Sequence, residues 1–119
     1  MLLVEDNADA REMLRTLLEL DGYQVQVAEN GKVGLEMLLQ SRPDVALVDI
    51  GLPEVDGYEV ARRVRKSLDN GDVYLVALTG YGQHKDRAAV FAAGFDEHLV
   101  KPVDLRALAR ILSRPRQPK

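Results

Sequence analysis

Val45-Ala46-Leu47-Val48-Asp49-Ile50-Gly51-Leu52-Pro53-Glu54-Val55-Asp56-Gly57 is the stretch whose reading decides the fold. Four apolar residues run straight into an acid. A short apolar run bounded by turn signals reads as a strand buried on both faces. Gly51 and Pro53 then mark a loop, and a helical pattern opens at Gly57. Asp49 therefore falls at the carboxyl end of a central strand, the edge where open α/β sheets bind ligands. An Asp carboxylate is also a nucleophile suited to forming an aspartyl phosphate. Asp49 is thus a candidate phosphoryl acceptor, and the rest of the chain must supply a metal site, a cation and a hydroxyl around it.

Upstream, Met1 to Val4 reads as a first strand that ends in Glu5-Asp6-Asn7. A helix is predicted over Ala8 to Leu20, with Ala10, Met13, Leu14, Leu17 and Leu18 as its apolar stripe. Gly22 stands where a helix end favours positive φ. Tyr23 to Ala28 alternates apolar with polar, as an edge strand with one wet face does. After the Asn30-Gly31 turn, a helix over Lys32 to Gln40 turns Val33, Met37 and Leu38 inward, and Arg42-Pro43-Asp44 breaks the chain.

Downstream, a helix over Gly57 to Ser67 presents Val60, Val64 and Leu68 at helical spacing. Val73 to Leu78 is a second nearly continuous apolar run and reads as a buried strand that ends at Thr79-Gly80. A helix over Gln83 to Ala93 closes at Gly94. Glu97 to Val100 is a less apolar strand, placed nearer an edge and followed by Lys101-Pro102. Asp104 is a candidate N-cap for a last helix carrying Leu105, Leu108, Ala109 and Leu112. Five strands alternate with five helices, and each crossover is long enough for a right-handed βαβ unit. The expected architecture is α/β: a flavodoxin-like, doubly wound parallel sheet with strand order 2-1-3-4-5. Residues 1–113 form one domain, and the basic, Pro-containing 114–119 segment is expected to fray.

With 119 residues and a net charge of −3, the chain suits one core. Its charges of both signs are interspersed, which argues against direct nucleic-acid binding or a membrane-surface patch. No apolar run approaches the roughly 20 residues of a bilayer span, and acids at Glu5 and Asp6 interrupt any signal-peptide pattern. Cysteine is absent, which excludes disulfides and thiolate metal sites and fits a cytoplasmic location. Met1 already lies inside a strand pattern, as expected of a piece of a longer protein.

The strand ends converge chemically. Strand one delivers Glu5 and Asp6, strand three Asp49, strand four Thr79 and strand five Lys101. In the 2-1-3-4-5 order these ends surround one crevice. Close carboxylates raise one another's pKa, and a divalent cation relieves that. With no Cys, and neither His at a strand end, Mg²⁺ with oxygen ligands is the natural occupant. A phosphoryl group on Asp49 would offer acceptor oxygens to Mg²⁺, Lys101 and Thr79, in a reaction governed by positioning and electrostatics. Taken singly, each piece has an ordinary reading: Glu5-Asp6 as a solvated turn, Thr79-Gly80 as a loop, Lys101-Pro102 as uninformative. Their conjunction at one sheet edge carries the argument.

These motifs together, Leu2-Leu3-Val4-Glu5-Asp6-Asn7, Val48-Asp49-Ile50-Gly51-Leu52-Pro53 with Asp56-Gly57, Ala77-Leu78-Thr79-Gly80 and Val100-Lys101-Pro102, resemble the receiver domain of bacterial two-component response regulators. The 2-1-3-4-5 order is already associated with chemotaxis receivers. The resemblance implies Asp49 as phosphoacceptor. It implies Asp6 as a direct Mg²⁺ ligand, Glu5 acting partly through water, and the Gly51 carbonyl as a third protein ligand. Thr79 would be the switch hydroxyl, Lys101 the phosphate-binding lysine, and Lys101-Pro102 a cis bond. The donor would be a phosphohistidine on a histidine kinase or histidine phosphotransfer domain, docked on helix one near Asn7 to Leu18. Slow self-dephosphorylation would follow, and the helix-four, strand-five, helix-five face would carry the output to a partner the sequence does not name.

One departure is His98, which stands where the family usually has a Tyr or Phe rotameric switch. Its alternative reading is an exposed edge-strand residue. Gly51 and Tyr81 flank the site as candidates for setting the dephosphorylation rate, and His84 reads as a surface residue. The chain is expected to be a stand-alone regulator or, preferentially, the receiver of a hybrid histidine kinase. Rival readings are a Mg²⁺-dependent phosphatase with an aspartyl nucleophile, which usually has a second acid where Gly51 stands, and a receiver-like interaction module. A flavodoxin-like redox carrier is a third, but Glu5-Asp6-Asn7 would repel a flavin phosphate.

Overall fold

The computed structural model describes residues 1–67, 73–80 and 87–113. Within them the chain runs β1 (Leu2–Val4), α1 (Ala8–Leu20), β2 (Gln26–Ala28), α2 (Gly31–Ser41), β3 (Val45–Asp49), α3 (Gly57–Ser67), β4 (Tyr74–Thr79), α4 (Arg87–Ala93), β5 (Glu97–Val100) and α5 (Leu105–Leu112). The strands form one parallel sheet in the order β2-β1-β3-β4-β5, as expected. The predicted Leu68, the loop over 69–72, Tyr81, His84 and the tail over 114–119 lie outside the described residues.

Side-chain alternation along the strands builds two cores. Leu2, Val4, Ala46, Val48, Leu75 and Ala77 meet Leu38 of α2, Val60 and Val64 of α3 and Val90 of α4. Leu3, Leu47, Val76, Leu78 and Leu99 meet Leu18 of α1 and Leu108 and Ile111 of α5. A sheet apolar on both sides must be covered on both sides, which the alternating helices do. Side-chain caps start the helices: Asn7 Oδ1 accepts from Ala10 N at 2.9 Å, Asn30 Oδ1 from Val33 N at 2.8 Å and Asp104 Oδ1 from Arg106 N at 2.8 Å. Gly22 and Gly94 follow their helices at φ 98° and 115°, conformations that cost glycine little.

Three boundaries or faces differ from expectation. β2 is shorter than Tyr23–Ala28, because only Gln26, Val27 and Ala28 find partners on β1. Met13 and Leu17, assigned to the apolar stripe of α1, are 66% and 41% exposed. Leu18 is buried and Leu14 half-buried, and Met13 and Leu17 lie about 100° round the helix from that row. In α5, Ala109 is exposed and Ile111 is buried in its place. Leu108 and Ile111, three apart, share the row that meets the sheet.

Candidate functional site

The site grows out of one side of the sheet. Glu5, Asp49 and Lys101 each stand two residues beyond a buried leucine: Leu3, Leu47 and Leu99. Alternation therefore carries all three toward the α1 and α5 side, continuing the rows of that core past the ends of β1, β3 and β5. Thr79 and His98 fall on the opposite side, with Ala77.

Glu5 and Asp49 are buried carboxylates, at 2% and 6% exposure, and Asp6 is exposed. One carboxylate oxygen from each of the three lies within 4.8 Å of the others. Lys101 Nζ donates to Asp49 Oδ2 at 2.8 Å and also to Glu5 Oε1, so a single ammonium bridges both buried acids. The other Asp49 oxygen, Oδ1, accepts from Gly51 N at 2.8 Å, which fixes the rotation of the carboxylate. Glu5 Oε2 accepts from Asn7 N at 3.2 Å. Burial pushes the Glu5 carboxyl above its usual range, against the opposing pull of Lys101 and the Asn7 amide. Burial would lower the Lys101 ammonium, but its bonds to Asp49 and Glu5 and their charges prevail, and its pKa is raised.

The backbone around the acids is held closely. Lys101 N donates to Thr79 O at 2.7 Å, and the Lys101-Pro102 bond is cis. Gly57, at the start of α3, packs directly under the nucleophile candidate. A Cβ there would sit 2.6 Å from both Asp49 O and Ile50 Cα. Asp56 caps the same helix, its Oδ1 accepting from Glu59 N at 2.9 Å. The sequence Asp56-Gly57-Tyr58-Glu59 has the spacing of a capping box, a signal from which this cap was legible. Arg11 was not anticipated: its Nη1 donates to the Glu5 carbonyl at 2.9 Å. Only its position on the turn of α1 nearest β1 hinted at this.

Thr79 is fully buried, and its hydroxyl lies 3.4 Å from Leu99 O, a long contact. It stands one residue beyond Leu78, the β4 partner of Asp49. His98 is half-buried beside Ala77, and its Nδ1 has no hydrogen-bond partner among the described residues. The structure thus brings Glu5, Asp6, Asp49 and Lys101 into one cluster, with Gly51 bonded to it and Thr79 and His98 outside it. All its donors are oxygens, and three carboxylates against one ammonium leave a net negative charge. That set fits a hard divalent cation such as Mg²⁺.

A parallel five-stranded sheet with an acidic pair, an aspartate and a lysine at its carboxyl edge defines a class of phosphoryl-accepting signalling domain. The family model for the response regulator receiver domain matches residues 1–113, and the chain belongs to that family. It is a receiver domain of two-component systems. An uncharacterized 14.6 kDa protein of Leptolyngbya boryana is 38% identical over 114 residues, covering 96% of this chain and 87% of that protein. Response regulator MprA of Mycobacterium leprae is 38% identical over 120 residues, and the match covers 100% of this chain but 52% of MprA. The chain thus spans about half the length of most of the curated relatives it matches.

Among solved structures, the receiver domain of a Pseudomonas aeruginosa sensor histidine kinase, with magnesium coordinated in its active-site cleft, is 35% identical. Its TM-score is 0.83, covering 95% of this chain and 93% of that one. A Saccharomyces cerevisiae receiver domain, crystallised with a histidine phosphotransfer protein, is 26% identical with a TM-score of 0.81, covering 94% and 84%. No helix of the described residues is long and apolar enough to cross a membrane.

Proposed function

We propose that Asp49 accepts a phosphoryl group from a phosphohistidine and that Mg²⁺ binds at Glu5, Asp6, Asp49 and the Gly51 carbonyl. The observation that carries this reading is the Lys101 ammonium held between two buried carboxylates at the carboxyl edge of the sheet. An Asp49 oxygen attacks phosphorus, a P–O bond forms and the P–N bond to imidazole breaks. The released imidazole nitrogen keeps the electron pair and takes a proton from solvent. Gly51 N–H orients the attacking carboxylate. Lys101 stays with Asp49 and neutralises charge that develops on the phosphoryl oxygens. When bound, Mg²⁺ supplies charge neutralisation for the carboxylates and the phosphoryl group. Water later hydrolyses the acyl phosphate, a step whose rate Gly51 and Tyr81 would set.

The donor would be a histidine kinase or a histidine phosphotransfer domain, the latter of the kind crystallised with the yeast receiver, and it would seat on α1. A groove of about 350 Å³ beside Glu5 and Lys101 supports this, lined by Ala10, Met13, Leu14, Leu17, Pro102 and Val103. Met13 and Leu17 are, with Leu20, the large apolar side chains that α1 leaves in solvent. Phosphorylation would draw Thr79 toward the phosphate and shift the balance between two packings of the α4, β5, α5 face, with His98 as the relay. Residues 1–113 would form the signalling unit, in the cytoplasm, as a regulator or as part of a hybrid histidine kinase. Transfer of radiolabelled phosphate from a phosphorylated histidine phosphotransfer domain tests the reading. Label should appear in the parent chain and not in Asp49→Asn, and Leu17→Asp should slow transfer at least tenfold.

A further inference from the structure

We infer that Arg11 is a positioning residue for the acidic pair, an inference that rests on the metal site proposed above. The Glu5–Asp6 peptide is the hinge on which both carboxylates turn. Rotating that peptide plane would swing Asp6 away from Glu5 and Asp49 without breaking any covalent geometry. Asp6 itself is exposed, and its side chain has no hydrogen bond or ion pair among the described residues. The peptide must therefore be held from its other atoms.

Besides the Lys101 ion pair, three bonds hold Glu5, and one of them falls on this peptide. Glu5 N donates to Ala28 O of β2 at 3.1 Å, which fixes the strand side. Glu5 Oε2 accepts from Asn7 N at 3.2 Å, which closes the turn. Glu5 O accepts from Arg11 Nη1 at 2.9 Å. The last of these bears directly on the carbonyl of the Glu5–Asp6 peptide, and a charged donor makes it the strong kind of hydrogen bond. Arg11 is half-buried and sits within α1, whose own start is fixed by the Asn7 cap. The guanidinium thus transfers the rigidity of a capped helix to the loop that carries two of the three acids. Partners of this type, which orient ligands without touching a metal, typically change metal affinity 10–100-fold when removed.

The test is Mg²⁺ affinity, read by amide chemical-shift titration at a temperature well below unfolding, with thermal unfolding in EDTA measured beside it. Arg11→Met is expected to weaken Mg²⁺ binding about tenfold or more. Arg11→Lys, which can still donate to the same carbonyl, should recover most of that loss. A purely structural role would lower the unfolding midpoint of both variants and leave the Mg²⁺ dissociation constant unchanged, which would overturn the inference. Should Arg11→Met not fold, Arg11→Gln carries the same threshold. No Mg²⁺ response in the parent chain would defeat the proposed metal site itself. A parent response that Arg11→Met shares in full would defeat only the role of Arg11.

Discussion

Replacing Lys101 by Met removes one charge and keeps most of the apolar stem, so it isolates what the ammonium does. Its two acceptors, Glu5 and Asp49, have side chains only 3% and 9% exposed. Breaking a buried ion pair by removing one partner costs about 3–5 kcal/mol, because a charge is left uncompensated. Lys101 itself is 29% exposed, so water already screens part of the attraction, and about 2 kcal/mol is the expected loss at pH 7 in EDTA. For a domain of this size that is a fall of roughly 6–12 °C in the unfolding midpoint. The loss should shrink to under about 1 kcal/mol near pH 4, because burial raises the Glu5 carboxyl and its protonated form needs no counter-charge. Mg²⁺ at neutral pH should restore much of it for the same reason. Urea unfolding followed by circular dichroism at both pH values measures the difference. An equal loss at pH 7 and pH 4, insensitive to Mg²⁺, would mean that packing rather than charge is at work and would refute the reasoning.

Glu5→Gln should act with the opposite sign in EDTA. The raised pKa of Glu5 means that it favours the folded state below the ordinary carboxyl range and that this benefit is lost as pH rises through the folded value. The variant should therefore gain stability relative to the parent between about pH 4 and pH 7, while losing much of the ~2.7 kcal/mol that Mg²⁺ at 100 times its dissociation constant gives the parent. Stability curves that stay parallel across that pH range would contradict the sign. Gly57→Ala forces a methyl group onto Asp49 O and Ile50 Cα. It should destabilise by about 1–3 kcal/mol and reduce phosphorylation of Asp49, and an unchanged midpoint would count against the close approach. Glu54 holds φ 64°, which costs an L-residue about 1–2 kcal/mol. Glu54→Gly, after glycine's own entropy cost of about 0.5–1 kcal/mol, should raise stability by about 0.5 kcal/mol, visible as a higher urea midpoint.

Much of this molecule was legible because its signals are local. Val45 to Asp49 declares a buried strand with an acid at its end, and the four polar strand ends point to one edge once the order is known. The side of the sheet on which each residue lands follows from counting by two from Leu3, Leu47 and Leu99. The faces of the helices were harder. Met13 and Leu17 satisfy helical periodicity as well as Leu14 and Leu18 do, and only the contact with the sheet decides which row is buried. Ala109 and Ile111 pose the same ambiguity in α5. The bond from Arg11 to the Glu5 carbonyl had no sequence signature, because, unlike a helix cap, it follows no recurring spacing of residue types. The ammonium shared between Glu5 and Asp49 belongs to the same kind of fact: Lys101 was expected near Asp49, but its hold on Glu5 depends on the reach of both side chains.

The central claim is that Asp49 is the phosphoryl acceptor, and the most direct measurement is the intact mass of the chain after incubation with Mg²⁺ and a small acyl-phosphate donor. The account predicts the addition of one phosphoryl group to the parent chain, its absence without Mg²⁺, and its absence from Asp49→Asn. Labelling that persists in Asp49→Asn, or that never appears in the folded parent, would contradict it.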